Sequence, residues 1–587
     1  MSGPQRDVTA AVDRWARQTP DAIAIEDREL AISYRELAGL ADRTARLLLE
    51  SGAGPECTIA LALPRSAQFI VAALAVLRVG GCYVPVDPEY PAARRELILT
   101  DSQAQLVLAE DEKADVYDGV PVLVPASLDD LAEPGSDAAV PAFPPVPADS
   151  LAYIMYTSGS TGMPKGVGIT RGAIANLVFD NPELAVAPGQ RVGHLAPTAF
   201  DAATFEIWAA LCRGGTVVVQ RDAKLGIREL GGWLRGARLD YAFLTSGLFH
   251  LLIEQDPEAA GHIGVLITGG DILSPQHIAT ASKYVGKHLY AAYGPTETTV
   301  FASLHLVADA TQSERVPLGT PLHGKAMLVL DPQMRPVPDG EVGEIYIAGQ
   351  GLARGYHGRP GLTADRFCAD PFSTEPGARL YRTGDLGCRA AGGHLEFHGR
   401  VDRQVKIRGF RVELGEIEAA LQAHEAVSAA AAIVAEDAYG KRVVAFVARR
   451  TGTRLDESEL RSWLADRLPD FMRPHNYVLT DRLELDPNGK VLRSGLHAGL
   501  ETREARSATL PPFEAPDGPV EACIVDAFTD VLRLDRVGRG DDFFELGGDS
   551  LRCVRVLEHL DRRGLAVTAR QLFTNTTAAR LAAAIGG

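Results

Sequence analysis

From the N-terminus to about residue 400, two hydrophobic textures alternate along the chain. "DRTARLLLESG" and "SAQFIVAALAVLRVGG" place apolar residues at helical spacing, while "CTIALAL" and "CYVPV" are short, apolar and β-prone. Such alternation predicts crossover connections, and so mainly parallel sheets with helices on their faces. "DGVPVLVPASLDDLAEPGSDAAVPAFPPVPADS" is rich in Pro, Ala and Asp and reads as a surface connection. From "GHLEFHGRVDRQVKIRGFRVELGEIE" the texture shifts to strands with basic alternation, a helix, and then the strand "KRVVAFVARR". That pattern predicts a small α+β unit of about a hundred residues. "ETREARSATLPPFEAPDGP" is polar and proline-rich, a linker. After it, "VEACIVDAFTDVL" and "SLRCVRVLEHLDRR" space their apolar residues three and four apart, as amphipathic helices of a small bundle do. No internal repeat appears. The pattern as a whole predicts a large α/β region, a small α+β region and an all-α bundle.

Composition narrows the function classes. The 587 residues correspond to about three to five folding units. Hydrophobic residues make up 46% and charged residues 23%, an ordinary globular balance. A net charge of -17 repels nucleic acid and anionic membrane, so an anionic ligand must be drawn in by local donors. Seven cysteines lie far apart with no C-x-x-C spacing, which argues against a disulfide framework or a zinc site and for a reducing compartment. The N-terminal "MSGPQRDVTAAVDRWARQTPD" lacks an apolar core segment, and "FIVAALAVL" is too short to span a bilayer. A cytoplasmic protein is expected.

The first candidate chemistry is "YTSGSTGMPKGV", Tyr156 to Val167. Glycines allow a tight turn and close backbone approach, hydroxyl residues donate, and Lys165 adds positive charge. The set suits an anion with many oxygens, such as a nucleotide's phosphates, and the apolar "SLAYIMY" before it predicts a strand that delivers the loop to a sheet edge. The phosphate loop G-x-x-x-x-G-K-[ST] does not fit, because Pro164 replaces its second glycine and Gly166 follows the lysine. A plain surface linker is the alternative.

The remaining motifs decide between them. "VLRVGGCYVPVDPEYPAAR", the loop, "AYGPTETTVF", "GEIYIAGQGLARGY", "YRTGDLG", "GRVDRQVKIRGFRVELGEIE", "LPDFMRP", "PNGKV" and "DDFFELGGDSL" occur in that order. In these the chain resembles an adenylation domain of a nonribosomal peptide synthetase, of the adenylate-forming superfamily, followed by a peptidyl carrier domain. The resemblance implies a large adenylation subdomain at residues 1–401, a small mobile one at 402–500, a linker at 501–518 and a carrier at 519–587. It also implies two half-reactions: a carboxylate attacks the α-phosphate of ATP, and a thiol then attacks the acyl-adenylate. Displacement at phosphorus depends mainly on positioning and charge neutralisation. By the same resemblance Thr157, Ser158, Gly159, Ser160, Thr161, Gly162 and Lys165 wrap the β- and γ-phosphates. Thr296 holds the α-phosphate region and Glu297 ligates Mg²⁺. Tyr293 stacks on adenine, Asp385 accepts from the ribose hydroxyls, and Arg400 reaches the ribose-phosphate end. Lys490 bridges the substrate carboxylate and the α-phosphate. Asp402 is the hinge about which the small subdomain swings, and Ser550 carries 4′-phosphopantetheine, whose arm supplies a thiol.

Each residue also has a local alternative. Asp385 after Gly384 can shape a turn, Lys490 can be a solvated lysine beyond a hairpin, and Glu297 can favour a helix dipole. Asp402 can pair with Arg400 or Arg403, and Ser550 can be an N-cap.

The substrate expectation rests on alignment of the same motifs. In "APTAFDAATFEIW", Asp201 falls where amino-acid-activating members pair an acid with the α-ammonium. The rest of the pocket is Ala202, Phe205, Phe243, Ile267, Gly269, Ala292, Val300 and Phe301. None of these side chains is charged or hydrogen-bonding, so a polar substrate side chain would be left unpaired. Inward-reaching phenylalanines should shorten the pocket, and the set resembles valine- and isoleucine-type members. Leucine or phenylalanine stays open because Gly269 and Ala292 leave space. Implied partners are the amino acid, a phosphopantetheinyl transferase favoured by the acidic residues around Ser550, an enzyme acting in trans on the loaded carrier, and a small MbtH-like activator protein. Two other classes compete: an acyl or aryl adenylate ligase using free coenzyme A, and a non-catalytic carrier scaffold.

Overall fold

The computed structural model describes residues 6–110, 117, 119–128, 146–159, 162–222, 225–307, 315–390, 393–402, 404–407, 409–437, 440–484, 491, 493, 496, 512–548 and 550–586. Two compact units emerge. One comprises Met1–Thr157, Lys165–Ala223 and Gly231–Asp402; the other comprises Ser158–Pro164, Lys224–Leu230 and Arg403–Gly587.

The first unit is built on two largely parallel sheets. In the nine-stranded sheet the inner strands His288–Tyr293, Ile263–Gly269, Leu239–Thr245, Arg191–His194, Thr216–Val219 and Ile23–Asp27 run parallel in that spatial order. The seven-stranded sheet includes Leu151–Thr157 between Cys82–Pro85 and Lys165–Thr170. The strand entering the hydroxyl-rich loop is therefore internal to its sheet, and the loop leaves from its carboxyl end.

The expected helices explain how the two sheets are held. Ser33 and Glu36 form a capping box that starts Tyr34–Glu50. Ser66 accepts from the Phe69 N–H and starts Ala67–Arg78, of which every residue but Gln68 is buried. That helix packs on Ile23–Asp27 of one sheet and on Thr58–Ala62 and Cys82–Pro85 of the other. A helix covered on nearly all sides must be apolar on nearly all sides, hence the unbroken run "FIVAALAVL" that follows Gln68.

Residues 325–400 depart from the parallel expectation. Lys325–Leu330, Val342–Gly349, Arg379–Arg389, Phe367–Ala369 and Leu395–Arg400 form one sheet in which every pairing is antiparallel. Tight reversals account for two of these pairings: Asp331 N–H donates to the Arg335 carbonyl and Ala390 N–H to the His394 carbonyl. A turn of that kind cannot make the long crossover a parallel pair needs. The basic alternation also begins one strand before the second unit, because Leu395–Arg400 pairs with Arg379–Arg389.

The second unit contains the hairpin Gln404–Ile407 and Phe410–Glu413, the helix Leu414–Gln422, and the sheet Val427–Asp437, Gly440–Arg449 and Asn476–Thr480. Ile417, Leu421, Val443 and Leu460 belong to the core of this α+β part. The helices Gly518–Leu532, Ser550–Arg562, Ala569–Thr574 and Ala578–Gly586 close on a separate core containing Phe528, Phe543 and Val556. Among the described residues no helix is long and apolar enough to cross a membrane. The seven cysteines are all free.

Candidate active site

The hydroxyl-rich segment is the turn of a β-hairpin. Thr157 pairs with Lys165 across antiparallel strands, and the residues between them form the loop. Gly162 N–H donates to the Gly159 carbonyl at 3.1 Å, with Gly162 at φ 81°. A Cβ at Gly159 would lie 1.8 Å from the Met163 carbonyl oxygen, so the loop closes this tightly only with glycine there. Ser158 lies in the same loop; Ser160 and Thr161 fall outside the described residues.

Lys165 and Glu297 meet in the interior of the first unit. The Lys165 ammonium stands 3.2 Å from Glu297 Oε1, and neither side chain is more than 8% exposed. Tyr356 joins them: its hydroxyl donates to Glu297 at 2.7 Å and accepts from Lys165 at 3.2 Å. The ammonium also sits 4.5 Å from the centre of the Tyr356 ring, and Tyr381 places its hydroxyl 3.5 Å from that of Tyr356. Glu297 lies on the single turn Thr296–Thr298 with Lys165 and Tyr356 as partners, so its contacts go well beyond a helix dipole. A buried pair of this kind loses about 3–5 kcal/mol when one partner is removed.

A second hub forms around Asp385 on the strand Arg379–Arg389. Tyr293 donates its hydroxyl to Asp385 Oδ2 at 2.6 Å, and Arg400 pairs with Oδ1. Burial and the Asp385 charge push the Tyr293 phenol well above its ordinary range, so it stays a donor. A carboxylate has about four acceptor sites, so each oxygen retains capacity for a further donor. Arg400 turns its other edge to Asp402, with Nε and Nη2 at 2.7 and 2.9 Å. Asp402 therefore makes the ion pair with Arg400, and Arg403 lies outside the described residues.

Asp201 precedes the helix Ala202–Leu211 without capping it, and accepts from Thr296 Oγ1 at 2.6 Å. Ala202 and Phe205 lie on that helix, and Phe243, Ile267, Gly269 and Ala292 on three adjacent parallel strands. Phe243 stands in register with Ile267, and Gly269 with Ala292. Phe301 brings its ring within 5.5 Å of Phe205 and 5.7 Å of Phe243, centre to centre. Gly269 leaves less room than its missing side chain suggests, because a Cβ there would meet the Ala292 carbonyl oxygen at 2.3 Å.

Besides Ser160 and Thr161, two expected residues have little or no side-chain description. Lys490 lies outside the described residues, and Ser550 is the first residue of its helix with nothing described beyond the backbone. Conversely, the structure adds Tyr356, Tyr381 and Thr383, whose hydroxyl accepts from the Asp385 N–H at 2.9 Å. All three fall within "GLARGY" and "YRTGDLG", so the motifs contained the signal without distinguishing which residue in each faces the site.

A model of the AMP-binding enzyme family matches residues 12–357. The chain belongs to that family. The AMP-binding enzyme C-terminal domain matches residues 416–490 and the phosphopantetheine attachment site residues 524–585. Together they make this chain an adenylation–carrier didomain of the nonribosomal peptide synthetase type. It is 37% identical over 98% of its length to a linear gramicidin synthase of Brevibacillus parabrevis, spanning 11% of that protein. It is 38% identical over 99% of its length to phosphinothricin tripeptide synthetase PhsC of Streptomyces viridochromogenes, spanning 53% of it. Among solved structures it resembles holo-PA1221, an NRPS protein containing adenylation and PCP domains bound to a vinylsulfonamide inhibitor. The TM-score is 0.84 at 30% identity, covering 98% of this chain and 96% of that one.

The didomain's donor chemistry fits the groups its family uses. Mg²⁺ takes one or two carboxylates and completes its shell from phosphate and water. Glu297 offers such a carboxylate, with its Oε1 beside the Lys165 ammonium and the Tyr356 hydroxyl. On the carrier, a Cβ at Gly548 would come 2.4 Å from the Phe543 ring. The Gly548 backbone therefore lies close against the carrier core two residues before the helix that begins at Ser550.

Proposed function

We propose that this didomain activates an aliphatic α-amino acid of the valine or isoleucine type with ATP, forming aminoacyl-AMP and pyrophosphate, and loads it onto its own carrier. The observation that carries this reading is the Asp201–Thr296 contact at 2.6 Å. It joins the acid suited to an α-ammonium to the turn bearing Glu297, so substrate and phosphate ends belong to one network. Around Asp201 the pocket is apolar, and the Phe205–Phe301–Phe243 cluster favours a short branched side chain. A pocket of this kind separates neighbours by only about 1–3 kcal/mol per methylene.

The loop from Thr157 to Gly162, with Ser158, Gly159, Ser160 and Thr161, cradles the β- and γ-phosphates, and Lys165 supplies their countercharge. Glu297 would hold Mg²⁺, which would neutralise charge on the phosphates. Thr296 serves the α-phosphate, Tyr293 packs on adenine, and Asp385 with Arg400 holds the ribose end. Lys490 stabilises the charge between the attacking carboxylate and the α-phosphorus. The division of the chain after Asp402 supports its reading as the hinge. Ser550 holds the phosphopantetheine arm, which supplies the thiol the polypeptide lacks. A phosphopantetheinyl transferase installs that arm, a further enzyme takes the loaded amino acid, and an MbtH-like protein assists folding or activity.

The test is ATP–pyrophosphate exchange across the proteinogenic amino acids. Valine or isoleucine should give the fastest exchange. Exchange with fatty or aryl acids and none with amino acids would favour an acyl ligase instead, and no exchange at all would favour a carrier scaffold.

A further inference from the structure

The turn carrying two pocket residues is strained. Thr299 (φ 60°) and Val300 (φ 65°) are consecutive left-handed residues, both β-branched, a conformation such side chains rarely adopt. A turn like that persists only when its surroundings impose it. Here Lys325, at the start of the strand Lys325–Leu330, donates from one ammonium to the carbonyls on both sides of it: Thr298 at 2.7 Å and Phe301 at 2.5 Å. On the other face Thr299 Oγ1 donates to the Gly351 carbonyl at 2.8 Å. Gly351 is bare where the lysine stem passes, since a Cβ there would meet Lys325 Cε at 2.6 Å. A slot is thus built around this one side chain.

A buried cation is expensive, and one without a carboxylate partner more so. Among the described residues no salt bridge involves Lys325, and desolvation of its amine pulls it down to about 7. The same donors on a short polar residue could not span both carbonyls. We propose that Lys325 is a positioning residue for substrate specificity: it locks the Thr298–Phe301 turn, and so fixes Val300 and Phe301 in the wall of the amino-acid pocket. This rests on the amino-acid reading of that pocket and adds a residue that the pocket alignment does not contain.

The test compares wild type, Lys325→Met and Lys325→Arg in pyrophosphate exchange with valine, isoleucine, leucine and phenylalanine, together with thermal unfolding. Lys325→Met should raise the KM for the preferred amino acid about tenfold, since a displaced wall misplaces the substrate. It should narrow discrimination among the four amino acids and leave the KM for ATP within about twofold. Lys325→Arg, which keeps paired donors, should restore much of the discrimination. A folded Lys325→Met with wild-type amino-acid KM and discrimination overturns the proposal. If that variant does not fold, Thr299→Val, which cuts the second tether, replaces it, and unchanged discrimination there overturns the proposal equally. A wild type that exchanges with no amino acid sinks the pocket reading and this inference with it, whereas a selective wild type beside an indistinguishable variant sinks the inference alone.

Discussion

At the scale of single residues, the site consists of carboxylates given specific internal partners, and two titratable groups offer clean tests. Asp201 accepts from Thr296, and its charge is suited to an α-ammonium. Asp201→Asn keeps the shape and removes the charge, a change worth about 1.5–3 kcal/mol for a charged hydrogen bond. The KM for the amino acid should rise at least tenfold while that for its des-amino analogue hardly moves; equal effects on both would refute the pairing. Lys325 tests pH. Its folded value near 7 lies below the ordinary 10.5, so between those limits the unfolded chain binds a proton that the folded chain has released. Stability from this group therefore rises with pH across that window, by up to about 1.4 kcal/mol per unit, and is level below 7. Urea unfolding at pH 7 and 8.5 should show wild type gaining about 1–2 kcal/mol relative to Lys325→Met; parallel pH profiles would contradict it. Single residues were also where the sequence was least legible. Tyr356 serves Lys165 and Glu297, partners 191 and 59 positions away, and no local pattern encodes such a meeting.

At the scale of elements, the hairpin Leu151–Thr157 and Lys165–Thr170 separates scaffold from function. The strands are held by cross-strand pairing from Leu151 to Thr157, while the loop depends on Gly159 lying against the Met163 carbonyl. Gly159→Ala should therefore distort the loop at a local cost of about 1–3 kcal/mol and leave the strands paired. The KM for ATP should rise tenfold or more with a shift in Tm of only a few degrees. An unchanged ATP KM would mean the loop does not hold phosphates. Elements of this sort were legible because apolar runs and punctuating glycines are local signals: "SLAYIMY" and "KRVVAFVARR" both appear as strands. Direction was not legible to the same degree. Whether neighbouring strands run parallel depends on the connection between them, and Lys325–Leu330 and Arg379–Arg389 each pass to their next partner by a tight turn where the earlier alternation suggested crossovers. Nothing local in the sequence marks Lys325, whose role appears only when Thr298 and Phe301 are brought to it.

At the scale of the whole molecule, the chain combines a unit built for a nucleotide with a carrier whose helices have a core of their own. Separate cores imply separable losses, and Ser550 is where that separation is tested. Adenylate formation uses a carboxylate, ATP and Mg²⁺, none of which involves the carrier, whereas loading needs a thiol on a long arm. Five of the seven free cysteines, Cys57, Cys82, Cys212, Cys388 and Cys553, are buried, and burial pushes the Cys82 and Cys212 thiols far up, away from the reactive thiolate; Cys368 and Cys523 are partly exposed but carry no such arm. Ser550→Ala should therefore leave pyrophosphate exchange within about twofold of wild type while abolishing covalent loading, even with a phosphopantetheinyl transferase and coenzyme A present. Alanine is a good helix former at the first position of Ser550–Arg562, so the carrier should stay folded, its stability changed by less than about 1 kcal/mol. Intact mass spectrometry gives the readout: wild type gains the arm and then the aminoacyl group, and the variant gains neither. A variant that still forms a thiol-sensitive aminoacyl adduct would place the attachment point elsewhere on the chain. One that loses exchange as well would show that the carrier and the adenylation site are coupled, contrary to the separation their independent cores imply.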